Sequence, residues 1–193
     1  MDAFAVFEEK RLPYLDREIL KKKFLAFTEE NHPDKFRNSQ KYREIERAFS
    51  QKHEAYRILL EPKWRLAHLL ELEFNFRPDE VKAMPKEVME LGWKLTEICT
   101  EVDQLKGKED SLTSSLAKAL FMKEKMVLLP KLRDLKYAIA DKVKHLEEEG
   151  QLLNESWKKG SKNKEALLAL YYSTSFVTRW SQQIDERLAW LIV

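Results

Sequence analysis

The stretch DREILKKKFLAFTEENHPDKF, residues 16–36, decides how the rest of the chain is read. Asp16 stands where a helix N-cap belongs, because its short carboxylate accepts main-chain N–H groups that a first turn leaves unpaired. Ile19, Leu20, Phe24 and Phe27 then recur at steps that stack on one side of a helix. The pattern runs to Asn31, and Pro33 pushes the residue before it out of helical geometry. The spacing predicts a helix of about four turns. Lys21, Lys22 and Lys23 lie on its opposite side, and His32-Pro33-Asp34 forms a bend at its end.

Working outward, the polar stretch through Asn38, Ser39 and Gln40 leads into a second amphipathic pattern. It runs from about Lys41 to Leu60, with Ile45, Ala48, Phe49, Ala55, Tyr56 and Leu59 as the side expected to be buried. Two helices joined this way make a hairpin with the bend exposed at its tip. Upstream, residues 3–10 read as a short helix presenting Phe4 and Phe7, closed by Pro13, which cannot donate the helical hydrogen bond. Downstream, Pro62 interrupts the second helix, and a further segment from Trp64 to Leu72 is apolar at Trp64, Leu66, Ala67, Leu69 and Leu70. The run Phe74-Asn75-Phe76-Arg77-Pro78-Asp79 has the composition of a junction. It divides the chain into residues 1–75 and 76–193.

Past the junction, Val88, Leu91, Leu95, Ile98, Val102 and Leu105 follow steps of three and four up to a stop at Gly107. A second long pattern runs from about Ser111 past His145, with Leu128, Leu132, Leu135, Ile139, Val143 and Leu146 on its seam. Gly150 is expected to end it and Pro130 to kink or split it. A third begins after Gly160-Ser161 with Asn163 as its cap and carries Leu167, Leu170, Val177, Ile184, Leu188 and Leu191. Loops this short make three antiparallel helices. The composition agrees: among 193 residues, 44% hydrophobic and 35% charged, there are only 4 Gly and 6 Pro, which suits an all-α chain of long solvated helices rather than a turn-rich β fold.

Several function classes are disfavoured at this stage. A formal charge of +2 implies no electrostatic grip on nucleic acid or on an anionic membrane. No run of about 18 apolar residues exists, and Asp2, Glu8 and Glu9 around Phe4 and Phe7 do not make a signal peptide, so a soluble, cytoplasmic protein is expected. Cys99 is the single cysteine, which excludes an intramolecular disulfide or a multi-cysteine metal site built by this chain alone, and it sits on the seam as a small core residue. His32, His53, His68 and His145 fall in no metal-ligand spacing, and no phosphate loop or nucleophile elbow occurs. No metal, cofactor or catalytic residue is expected. His32 and Asp34 are separated by a rigid proline that places them poorly for hydrogen bonding to each other.

A basic-faced helix, His32-Pro33-Asp34 and an amphipathic return helix together resemble the J-domain, the module by which co-chaperones stimulate DnaK-type ATPases. The likeness extends further. Met1-Asp2-Ala3-Phe4 with Phe7, Leu15-Asp16 through Leu20 and Phe24 to His32-Pro33-Asp34-Lys35-Phe36, Glu54-Ala55-Tyr56, and Pro62 with Arg65, Leu69 and Leu70 are similar to the HscB family of iron–sulfur cluster assembly. Asn154-Glu155-Ser156-Trp157 and the run from Phe176-Val177 to Arg187-Leu188 are similar to the same family. The resemblance implies an N-terminal J-domain helical hairpin over 1–75 and, over 76–193, a C-terminal three-helix bundle that binds an IscU-type scaffold.

The resemblance assigns chaperone binding to His32, Pro33, Asp34, Lys21, Lys22 and Lys35. Asp34 would pair with an arginine at the domain junction of a DnaK/HscA-type chaperone, while the lysines, Lys21 above all, would meet an acidic surface. On the bundle, Tyr172, Phe176 and Trp180 form an aromatic row at steps of four, and Met89 and Trp93 form another beside Glu90 and Glu97. Met89, Trp93, Glu97, Tyr172, Phe176 and Trp180 are therefore the expected client surface, with a widened core as the competing reading. Gly92, Thr96 and Thr100 stand where the family has larger or charged groups, so a J-protein serving a different client stays open. A helical protein with an accidental tripeptide, gripping phosphate through its lysines, is the reading from another class.

Overall fold

The computed structural model describes residues 1–37, 40–78 and 84–192, without the side chain of Ser111, so Asn38, Ser39 and Asp79 lie outside the described residues. Among those described there is no strand. The helices are α1 (Ala3–Val6), α2 (Arg17–Asn31), α3 (Tyr42–Leu60), α4 (Pro62–Phe74), α5 (Lys86–Lys106), α6 (Ser115–Lys158) and α7 (Lys164–Ile192), with 3₁₀ turns at Pro33–Phe36 and Glu109–Ser111. They form two compact units, Met1–Glu80 with Glu148–Tyr171 and Val81–Glu147 with Tyr172–Val193.

In the first unit, Asp2 caps α1 by accepting from the N–H groups of Phe4 and Ala5 at 3.0 and 3.2 Å. The helix stops at Val6, short of the expected residue 10, because Glu8 adopts the left-handed conformation (φ 56°). Phe4 and Phe7 are fully buried with Leu20, Ala55, Leu59, Leu66, Leu69 and Leu70. Asp16 caps α2 as expected, accepting from Glu18 and Ile19 at 2.8 and 3.1 Å. Ile19 itself is half exposed and Ala48 is exposed, as is Trp64, so the apolar stripes of α2, α3 and α4 are narrower than their sequence pattern. Arg65 is buried at 3% exposure because its guanidinium is spent on main-chain carbonyls, Pro13 at 3.0 Å and Leu59 at 2.6 Å. Asn75, in the left-handed conformation (φ 49°), ends α4, and the N–H of Phe76 reaches back to the Leu70 carbonyl.

The residues of α6 in this unit tie down the segment before α2. Asn154 accepts from the Tyr14 N–H and donates to the Tyr14 carbonyl, both at 2.9 Å. Gly150 does not end α6. It is buried inside the helix, and a Cβ there would sit 3.4 Å from the Tyr14 Cβ, so the glycine serves close approach rather than a stop. The stop falls instead at Gly160 (φ 83°), and Asn163 caps α7 through the Ala166 N–H at 3.0 Å.

In the second unit, ion pairs report helix direction. Lys108–Glu124 and Lys131–Glu101 link α5 to α6 with opposing numbering, whereas Arg187–Asp103 at 2.6 Å and the approach of Trp180 to Gly92 link α7 to α5 with numbering that rises together; Lys136–Asp185 joins α6 to α7. The three helices therefore run up, down and up. The expected seam of α7 is buried throughout. Pro130 neither splits α6 nor ends it: the proline lies on the exposed side of the helix, as does Met126, whose carbonyl loses its helical donor.

Candidate functional site

The α2–α3 hairpin is held by rings. Phe24 stacks on Tyr56 at 4.2 Å, Phe27 lies 6.1 Å from Phe49, and the His32 ring meets Phe49 edge-on at 5.5 Å. This last contact fixes the tip, because His32 both closes α2 and opens the next turn. Its Nδ1 accepts the main-chain N–H of Asp34 at 3.3 Å, with Pro33 at the first position of the 3₁₀ turn. The two side chains make no hydrogen bond to each other, as the intervening proline implies: the carboxylate lies 3.7 Å from the ring nitrogen that already accepts the Asp34 N–H.

Asp34 stays available to a partner: its side chain is 60% exposed. It is also engaged. Arg37 donates from Nε and Nη2 to one carboxylate oxygen at 3.0 and 2.8 Å. Sequence reasoning missed Arg37; its i+3 spacing from an aspartate in a tight turn was the signal. Lys35 folds back, its ammonium donating to the Glu29 carbonyl and satisfying one of the open carbonyls at the end of α2. Lys21 and Lys22 are exposed and have no partner among the described residues, whereas Lys23 pairs with Glu9. Lys21 stands about three turns from the tip, roughly 16 Å along the helix.

The bundle residues divide differently. Trp93 is 67% exposed, Glu97 is exposed and Met89 half-buried, all on one side of α5. Thr96 and Thr100 on the same side turn their hydroxyls inward, to the Gly92 and Thr96 carbonyls at 2.9 and 2.7 Å. Glu90 is held below the usual carboxylate range by a hydrogen bond from Lys94, which its charge reinforces. On α7, Tyr172 and Phe176 are half-buried, and Trp180 is buried at 5% exposure, its ring 5.5 Å from Phe176. The row is therefore not uniformly exposed: Trp180 is part of the core. Gly92 makes this possible, since a Cβ there would stand 3.0 Å from the Trp180 ring and 2.6 Å from the Met84 sulfur.

Cys99 is buried, which pushes its thiol up and keeps it protonated. Among the described residues no three His, Cys, Asp or Glu side chains gather as a metal site, and no helix is long and apolar enough to cross a membrane.

No protein-family model matches the sequence, and no curated protein matches it significantly. Solved structures do. The chaperone HscB from Vibrio cholerae superposes with a TM-score of 0.65 at 16% identity, over 99% of each chain. The human co-chaperone HscB superposes with a TM-score of 0.55 at 18% identity, over the whole of this chain and 83% of that one. At such identities the likeness speaks for architecture: the chain has the all-α fold of these HscB proteins.

Proposed function

We propose that this protein is a J-type co-chaperone, with residues 1–75 as its J-domain and 76–193 as its client-binding bundle. It stimulates the ATPase of a DnaK/HscA-type chaperone and delivers an IscU-type iron–sulfur scaffold to it. One observation carries the reading: His32-Pro33-Asp34 stands at the end of a ring-locked hairpin, with the Asp34 carboxylate open to solvent.

The chain's residues supply contacts rather than a reacting group. Lys21 and Lys22, exposed and without a partner among the described residues, raise the rate of encounter with an acidic chaperone surface. The carboxylate of Asp34 then leaves Arg37 for an arginine at the chaperone's domain junction. An exposed pair of this kind contributes at most about 1 kcal/mol, so the exchange costs little. Binding that favours the hydrolysis-competent arrangement shifts its population, and turnover rises accordingly.

Addition of the purified chain is expected to raise the ATPase rate of such a chaperone, and the exposed Asp34→Asn variant to leave it at the basal level. Equal stimulation by both would refute the proposal. On the bundle, Trp93, Glu97 and Met89 of α5 and the half-buried Phe176 of α7 form the scaffold surface. Trp93→Ser is expected to weaken capture of the scaffold by the full chain while leaving the melting temperature unchanged, because the indole is mostly in solvent. A chain that stimulates the ATPase yet never retains the scaffold would serve another client.

A further inference from the structure

We propose that the outward face of the first part of α6 is a docking surface for an acidic amphipathic helix of a protein partner, distinct from both surfaces described above. Leu116, Leu120, Met122, Met126 and Val127 are each between 50% and 74% exposed, five large apolar side chains within a span of twelve residues. At about 100° per residue, Leu116, Leu120 and Val127 form one row and Met122 and Met126 a second, so the apolar face covers roughly 160° of the helix. The core uses the opposite side, through Phe121, Leu128 and Leu132. A helix apolar on both sides is one that something else covers.

The surrounding charge selects the occupant. Lys118, Lys123 and Arg133 are exposed and have no ion-pair partner among the described residues. Of the acids alongside, Glu124 is paired with Lys108 at 3.2 Å and Glu101 with Lys131 at 2.8 Å, which leaves the exposed Asp134 beside Arg133 against three unpaired cations. The face is therefore apolar and cationic. Beside it, between α5 and α6, runs an open groove of about 370 Å³ lined by Leu105, Val127 and Leu128 together with Lys123 and the two ion-paired acids. A second copy packed on a two-fold axis would set these cations against themselves. A lipid surface is flat and leaves the groove unfilled. A helix with one apolar row seats a side chain in the groove and lays carboxylates against Lys118, Lys123 and Arg133. Two methionines give such a face the adaptability to follow its partner.

The test uses the full chain and a fluorescent synthetic helix of about 17 residues, leucines on one side and glutamates on the other. Saturable binding is expected, weakened about tenfold or more by Leu120→Glu with Met126→Glu and by raising salt from about 0.05 to about 0.5 M. The same peptide with lysines for glutamates is expected not to bind. Both substituted side chains are exposed, and a melting curve checks that the variant folds. Absence of binding to the acidic peptide, equal binding of the lysine peptide, or indifference to the substitutions would overturn the proposal. So would binding to phosphatidylglycerol vesicles in place of the peptide, or concentration-dependent dimerisation that the substitutions abolish.

Discussion

Replacing Asn154 with alanine tests how the hairpin is attached to the rest of its unit. The carboxamide, 8% exposed, makes both main-chain bonds of Tyr14, two residues before the Asp16 cap of α2. Alanine removes two hydrogen bonds and leaves a part-buried N–H and C=O to find other partners. At about 1 kcal/mol for each bond, plus the cost of the unpaired groups, the loss comes to roughly 3 kcal/mol. For a chain of this size that lowers the melting temperature by roughly 6–12 °C. Thermal melts followed by far-UV circular dichroism measure it. Asn154→Asp sharpens the test, because an ionised carboxylate still accepts from the Tyr14 N–H but faces the Tyr14 carbonyl with nothing to donate. Its stability should be as low as that of the alanine variant at neutral pH, and should recover as falling pH protonates the new side chain and restores a donor. A melting temperature for Asn154→Ala within about a degree of the parent would refute the reasoning: the Tyr14 main chain would then be satisfied by water, and the attachment would rest on apolar packing alone.

Three further outcomes follow from single contacts. Burial holds His68 below the ordinary histidine range, against the upward pull of Asp2 and Glu71, and its neutral Nε2 accepts the Ala3 N–H at 3.1 Å. Below the unfolded pKa of about 6.5 the unfolded chain binds the proton first, so stability should be full above that pH and decline as pH falls toward the lower folded value. Melts across this range, compared with His68→Gln, check the slope. In Gly92→Ala the gain in helix propensity, about 1 kcal/mol, is outweighed by overpacking against Met84 and the buried Trp180, about 1–3 kcal/mol, so the melting temperature should fall by a few degrees and a rise would show that Met84 swings clear. Lys21→Gln with Lys22→Gln should slow association with the chaperone about tenfold at low salt, a deficit that closes as salt rises, as stopped-flow measurements at two ionic strengths would show.

What the chain reveals before folding is mostly what repeats along it. The cap at Asp16, the cap at Asn163 and the whole seam of α7 depend on neighbours three or four residues away, and each is where the periodicity puts it. Several of the errors share a cause: they depend on a residue distant in sequence. Gly150 reads as a stop until Tyr14 is packed against it, and Gly92 as a departure until Met84 and Trp180 close around it. Trp180 has the spacing of a surface row and the surroundings of a core residue. Pro130 reads as a break, yet it stands on the exposed side of an unbroken α6. At the tip, the tripeptide announced an exposed bend but not its construction: the His32 ring pressed on Phe49 and the Arg37 guanidinium on Asp34 arise from the fold of the hairpin and the turn.

The central claim is that the Asp34 carboxylate, presented on this turn, governs another protein's nucleotide hydrolysis. Its most direct test is a single turnover: a DnaK/HscA-type chaperone loaded with one ATP, mixed with the purified chain, and followed for phosphate release. Acceleration is expected that saturates with the chain's concentration and disappears in Asp34→Asn at an unchanged melting temperature. Release at the basal rate with the parent chain, or equal acceleration by the variant, would contradict it.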